Sequence, residues 1–183
     1  SGRPPRDMAT RPAQRVAERL FGTDGVRGIP GKYPLTPGVV RDLAFTAARI
    51  LLRDRARTSN GSAPLVLMGR DTRGSGPALC RLLAEGFRVA GCRTVDLGIV
   101  PTPAVSYLSP RLGALCGVIV SASHNPAEFN GIKFFTGDGY KMGEEIEDRI
   151  ERELLALDED QRAREGFFRP SGAIALAAQS GEP

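Results

Sequence analysis

Short apolar runs alternate with stretches of helical periodicity along most of this chain, and glycine or proline stands at many of the junctions. That alternation constrains the fold more than any other feature. A strand followed by a helix and another strand is the sequence form of a right-handed crossover, and repeated crossovers build a mainly parallel sheet. Leu65-Val66-Leu67-Met68, ended by Gly69, reads as a buried strand. Residues 94–97 read as a second strand, and 115–120, rich in β-branched side chains, as a third. Residues 132–135 read as a fourth, followed by Gly137-Asp138-Gly139 as a turn. Helical spacing runs through 39–52, 75–89 and 143–155, with a shorter helix over 102–108. Thr36-Pro37 supplies a capping hydroxyl and a first-turn proline, and Gly91 a C-terminal stop. The expected fold is a single α/β domain, a three-layer α/β/α arrangement on a mainly parallel, mixed sheet. In such sheets the ligand crevice lies beyond the carboxyl ends of the strands. The polar segments after Met68 and after Val120 both fall there.

Composition narrows the class. The chain has 183 residues, of which 41% are hydrophobic, enough for one domain with a core. The net charge of +4 is concentrated near the start, where Arg3, Arg6, Arg11, Arg15 and Arg19 face only Asp7 and Glu18. A solvated leader over 1–19 accounts for that charge, so no nucleic-acid partner is expected. No run of about 18 apolar residues occurs, so no membrane span is expected. Three scattered cysteines, Cys80, Cys92 and Cys116, show no zinc spacing. Their odd number and the absence of a secretion signal suit a reducing, cytoplasmic setting.

Four polar segments can carry chemistry. Ser121-Ala122-Ser123-His124-Asn125-Pro126 directly follows the third strand and contains the chain's one histidine. The strand fixes one end of this loop, and proline restricts Asn125 at the other. Ser123 is thereby placed to be exposed at a strand end. The competing reading is a plain turn whose Ser and Asn side chains cap backbone groups. The segment is not a G-x-S-x-G elbow, which weakens a hydrolase reading. Lys133, between Ile132 and Phe134, points to the opposite sheet face from both. An amine beside apolar walls can serve as a proton donor or acceptor; a strand-edge lysine facing water is the alternative. Gly22-Thr23-Asp24-Gly25-Val26-Arg27-Gly28 is a glycine loop whose arginine offers a fork for phosphate. Gly69-Arg70-Asp71-Thr72-Arg73-Gly74 places two arginines where a helix opens, a favourable setting for an anion. Asp71 bracing a neighbouring arginine is the alternative there.

Five ordered segments together resemble the α-D-phosphohexomutase family: Phe21-Gly-Thr-Asp-Gly-Val-Arg-Gly28, Gly69-Arg-Asp-Thr-Arg73, Pro101-Thr-Pro-Ala-Val-Ser-Tyr-Leu108, Ser121-Ala-Ser-His-Asn-Pro126 and Asn130-Gly-Ile-Lys-Phe-Phe135. Their wording points to the glucosamine branch rather than the phosphoglucomutase/phosphomannomutase branch. The resemblance implies that residues 20–157 are the first domain of such an enzyme. It implies Ser123 as a phosphoserine that shuttles phosphate between glucosamine 6-phosphate and glucosamine 1-phosphate through a 1,6-bisphosphate. The product is a precursor of UDP-N-acetylglucosamine. Lys133 would be the general acid/base, and His124 and Arg27 would hold the phosphoryl group. Thr23, Asp24, Arg70 and Asn125 would bind substrate or phosphate. Magnesium would be bound through the Ser123 phosphate.

The resemblance also implies partners. The family's aspartate-rich metal loop, its sugar-reading loop and its phosphate clamp belong to domains II–IV, and no matching Asp-Gly-Asp-Gly-Asp-Arg segment occurs here. One phosphate oxygen is far from the six ligands magnesium takes. The chain alone is therefore expected to lack mutase turnover, and faces bared by the missing domains would favour self-association. A non-catalytic phosphosugar-binding or interaction module is the alternative function. Residues 158–183 depart from the family as a divergent or truncated tail.

Overall fold

The computed structural model describes residues 19–55 and 62–157. The leader before Arg19, most of the polar linker between 58 and 63, and the tail from 158 lie outside the described residues. In chain order the elements are β1 (Val26–Gly28), α1 (Pro37–Arg55), β2 (Leu65–Arg70), α2 (Gly76–Val89), β3 (Arg93–Ile99), α3 (Thr102–Arg111), β4 (Cys116–Val120), β5 (Asn130–Thr136) and α4 (Glu144–Ala156). The sheet order is β1-β5-β4-β2-β3.

Three layers follow from the pleat. Successive side chains of a strand point to opposite faces. Val66 and Met68 of β2 therefore join Val118, Val120, Ile132 and Phe134 against α1, α2 and α4. Leu65 and Leu67 face the other way, with Ala114 and the partly buried Leu97 and Leu108, beneath α3. The central strand β4 is buried along its whole length, as its run of apolar and β-branched residues requires. β3, at the edge, leaves Val95 and Ile99 exposed. The Thr36 hydroxyl accepts from the Val39 N–H at 3.4 Å, capping α1. All three cysteines are buried free thiols, and burial pushes Cys80 and Cys92 up to about 11.

The sheet is mixed, with a larger antiparallel share than the crossover pattern suggests. β2 runs parallel to both β3 and β4, joined through α2 and α3. No helix separates β4 from β5, so the chain returns antiparallel. β1, a strand the periodicity does not reveal, adds to the far side of β5, also antiparallel. This short edge matters because it seats the glycine loop on the strand that carries Lys133.

Gly25 governs that seat. Its φ is +84°, and a Cβ there would lie 2.3 Å from the Ile132 carbonyl oxygen. Gly25→Ala combines left-handed strain with a backbone collision, about 3 kcal/mol in all. The expected result is a fall in Tm of about 10 °C by calorimetry. A shift near zero would show that β1 does not need this close approach.

Candidate active site

The loop from 121 to 129 leaves the carboxyl end of β4 and re-enters the sheet at β5. Two of its polar side chains turn inward. The Ser121 hydroxyl accepts from the Ser123 N–H at 3.1 Å, and the Asn125 side-chain amide donates to the Ala122 carbonyl at 2.8 Å. Ser123 is left on the outside. It is the non-glycine residue among those described with positive φ, at 55°. Left-handed backbone costs a non-glycine residue roughly 1–2 kcal/mol, so the surrounding contacts must hold it there. Ser123 is exposed, and its hydroxyl lies 3.4 Å from His124 Nδ1. Serine at this point is thus displayed, while Ser121 and Asn125 do the capping that a plain turn would need.

Beside the loop, three charged side chains of the sheet edge meet. Asp24 Oδ2 lies 2.6 Å from Lys133 Nζ and 2.5 Å from the Arg27 guanidinium. Lys133 leaves β5 on the face opposite Ile132 and Phe134, as alternation predicts, and its side chain is only 14% exposed. Arg27 pairs in register with Gly131 of β1's partner strand, and the Gly131 carbonyl accepts from the Ser121 N–H. Gly131 therefore sits between the arginine and the serine loop. A Cβ there would lie 2.7 Å from the Ser121 carbonyl and 3.2 Å from Arg27 Cγ. Only glycine allows both to approach so closely. Arg27 Nε is buried without a hydrogen-bond partner. A buried donor of that kind is costly unless an acceptor arrives.

Hydrogen bonding to Lys133, and then to Arg27, holds the Asp24 carboxyl below the usual aspartate range, against an opposing contribution from burial. The stability this contributes is present above the unfolded carboxyl value, about 4, and is lost as pH falls through the lower folded value. Asp24 is 43% exposed, so solvent screening keeps the effect small. Asp24→Asn is expected to flatten the acid limb of the Tm–pH curve below about pH 4. An acid limb identical to that of the unsubstituted chain would count against the Asp24 contacts.

The other expected residues are placed less directly. The Thr23 carbonyl accepts from Lys141 Nζ, which ties the glycine loop to the end of the β5 hairpin. Arg70 turns toward β3 and bonds both carboxylate oxygens of Asp96, at 2.7 and 2.6 Å. Asn125 faces its own loop. Two residues outside the expected set lie at the centre of the arrangement. Arg73 reaches from the β2–α2 loop into the serine loop, with Asp71 bracing it at 3.1 Å. Asn130 is fully buried, and its side chain donates to the Ser75 hydroxyl and accepts from the Gly131 N–H, each at 2.8 Å. A signal for Asn130 was present, since a buried asparagine before a strand glycine needs partners. For Arg73 it was the aspartate two residues earlier.

The fold and this loop arrangement define a three-layer α/β/α domain with a serine displayed at a strand end, and the comparisons say which family it belongs to. Residues 18–161 match the family described as phosphoglucomutase/phosphomannomutase, alpha/beta/alpha domain I. The chain belongs to that family. Within it, similar curated proteins are phosphoglucosamine mutases. That of Alkaliphilus metalliredigens (strain QYMF) is 45% identical over 141 residues, covering 77% of this chain and 30% of the relative. That of Symbiobacterium thermophilum is 44% identical over 155 residues, covering 85% of this chain and 32% of the relative. A crystal structure of a phosphoglucomutase/phosphomannomutase family protein from Burkholderia thailandensis superposes with a TM-score of 0.60 at 30% identity, over 75% of this chain and 30% of that one. The chain thus spans about a third of the length of these relatives.

Proposed function

We propose that this chain is the phosphoserine-bearing first domain of an enzyme that interconverts glucosamine 6-phosphate and glucosamine 1-phosphate through the 1,6-bisphosphate. The product would feed UDP-N-acetylglucosamine synthesis in the cytoplasm. The observation that carries this reading is Ser123: an exposed hydroxyl in strained backbone at the carboxyl end of β4.

In this reading the Ser123 Oγ attacks a phosphorus of the bisphosphate. The Oγ–P bond forms and the P–O bond to the sugar breaks. The hydroxyl proton leaves to a base, and the freed sugar oxygen takes a proton from Lys133. The reverse step, in which phosphoserine 123 phosphorylates the free hydroxyl of a monophosphate, makes that bisphosphate. It is the bisphosphate that turns end for end between the two transfers, so that the phosphate given up is not the one just added. His124 and Arg27 hold the transferring group, the arginine by the charge and N–H donors of its guanidinium. Thr23 and Asp24 frame the sugar side. Arg70 and Asn125 would bind substrate or phosphate from the loop ends, with Arg70 NH1 held by Asp96 and the Asn125 amide nitrogen by the Ala122 carbonyl. Positioning and charge neutralisation of this kind supply most of phosphoryl-transfer catalysis.

Magnesium would join the Ser123 phosphate. The described residues contain no group of three or more His, Cys, Asp or Glu able to hold a metal, so this chain's own chemistry does not fit a complete magnesium site. Domains II–IV would complete the metal site and the sugar contacts. Among the described residues, no helix is long and apolar enough to cross a membrane.

The test is intact-mass measurement of the 183-residue chain before and after incubation with a hexose 1,6-bisphosphate and magnesium. One phosphoryl group mapping to Ser123, without turnover to glucosamine 1-phosphate, is expected. A serine that stays unmodified where a complete mutase becomes phosphorylated would favour the non-catalytic binding module.

A further inference from the structure

Two arginines leave the end of β2 three residues apart, and they point to different partners. Arg70 donates through NH1 to both carboxylate oxygens of Asp96 at the sheet edge. Arg73 lies under the loop from 121 to 129, and its side chain is only 11% exposed. Its NH1 donates to the carbonyls of Pro126 at 2.6 Å and Phe129 at 3.0 Å. Its NH2 donates to the carbonyls of Ser123 at 2.9 Å and Asn125 at 2.8 Å. Its Nε donates to Asp71 Oδ2 at 3.1 Å, while Asp71 Oδ1 accepts from the Arg73 backbone N–H at 3.0 Å. A guanidinium has five N–H donors. These bonds use one at Nε and two on each terminal nitrogen, which is the full set.

The loop is therefore wound around a cation, with four carbonyl dipoles converging on it. This explains the unusual backbone at residue 123. The Ser123 carbonyl is drawn inward to Arg73, and its N–H is taken by Ser121 Oγ. With both backbone groups committed to the inside, the side chain is the part left facing out. Asp71 is itself fixed, because its backbone N–H donates to the Val120 carbonyl at 3.0 Å. The clamp is thus anchored to the last residue of β4, the strand from which the loop departs. Asn130 adds a second tie between the same two loops through Ser75.

We infer that Arg73 is a positioning residue for phosphoryl transfer at Ser123, acting through the loop carbonyls and touching neither phosphate nor sugar. The inference rests on the reading of Ser123 as the phosphoryl carrier. Lysine cannot replace this group. It has three donors on one rotating nitrogen and lacks the planar fork that spans four carbonyls and a carboxylate.

The test compares the full 183-residue chain with its Arg73→Lys and Arg73→Ala variants by two readouts. Hydrogen exchange is followed at the amides of 121–129, of β4 and of β5. Phosphoryl uptake from a hexose 1,6-bisphosphate with magnesium is followed by intact mass as a function of bisphosphate concentration. Arg73→Lys is expected to speed exchange in the loop by about tenfold while β4 and β5 keep their protection. Its maximal uptake rate should fall by about tenfold or more, with half-saturation little changed, as expected when a reacting group is misplaced rather than a ligand lost. In Arg73→Ala both properties should be partly restored by millimolar guanidinium chloride and not by urea. A contribution to fold stability alone would lower Tm and could not be rescued by a denaturing ion. Uptake by Arg73→Lys at the unsubstituted rate overturns the inference. So does a loss that follows Tm and is indifferent to guanidinium. If the unsubstituted chain takes up no phosphate, the Ser123 reading fails and the transfer role fails with it. A selective exchange response to Arg73→Lys would then identify that failure as belonging to Ser123 and not to the clamp.

Discussion

Ser123→Ala is expected to abolish phosphoryl uptake by this chain while leaving its folding nearly unchanged. The loss is complete because no neighbouring hydroxyl can take over. Ser121 is buried, and its Oγ is already the acceptor for the residue 123 N–H. Ser75 lies under the loop, where its hydroxyl accepts from Asn130. The effect on folding is small for a separate reason. The strain at φ 55° comes from the Cβ, which alanine keeps, and among the described residues the hydrogen bond of the Ser123 hydroxyl is a long one, to His124 at 3.4 Å. An exposed substitution of this type stays within about 0.5 kcal/mol. Intact mass after exposure to a hexose 1,6-bisphosphate and magnesium should show one added phosphoryl group on the unsubstituted chain and none on the variant, with Tm values that coincide. Phosphate appearing on Ser121 or Ser75 of the variant would mean that the loop offers no unique acceptor, and the argument from the backbone at 123 would be lost.

Much of the architecture was legible because burial leaves a periodic trace. β2 and β4 are covered on both faces, so they appear as unbroken apolar runs. α2 and α4 are covered on one, so their apolar residues recur at helical spacing. β1 left no such trace. It is three residues long, contains Arg27 and Gly28, and is defined by the strand beside it rather than by its own pattern. The turn of β5 against β4 was hidden for the same reason: its apolar residues are the same whichever way the strand runs. At the site, residue types singled out Ser123, Lys133 and Arg27 as candidates, and the ordered segments identified the family. They could not announce which arginine of the Arg70-Asp71-Thr72-Arg73 turn would face the serine. That choice depends on where carbonyl oxygens converge, and every residue carries a carbonyl. Asp24 was expected at the substrate. It also bridges the lysine and the arginine, a contact that becomes visible only once β1 is placed beside β5.

Lys133 is where charge and proton transfer can be told apart. Lys133→Gln keeps the length of the side chain approximately and removes both its charge and its proton. Lys133→Arg keeps a cation opposite Asp24 but holds a group that stays protonated throughout the working range. If Lys133 delivers the proton to the sugar oxygen as the P–O bond breaks, both variants lose phosphoryl uptake at Ser123 by about 10²–10⁴, the usual worth of general acid–base catalysis. They then differ in stability. Arg retains the contact with Asp24 and should show an acid limb of Tm against pH close to that of the unsubstituted chain. Gln, which leaves Asp24 with Arg27 as its remaining ion-pair partner, should not. If instead Lys133 supplies only positive charge, Lys133→Arg retains most of the uptake rate and only Lys133→Gln loses it. Uptake by the arginine variant within about threefold of the unsubstituted rate would therefore remove the proton-transfer role from Lys133, since a retained charge would then account for nearly all of its effect.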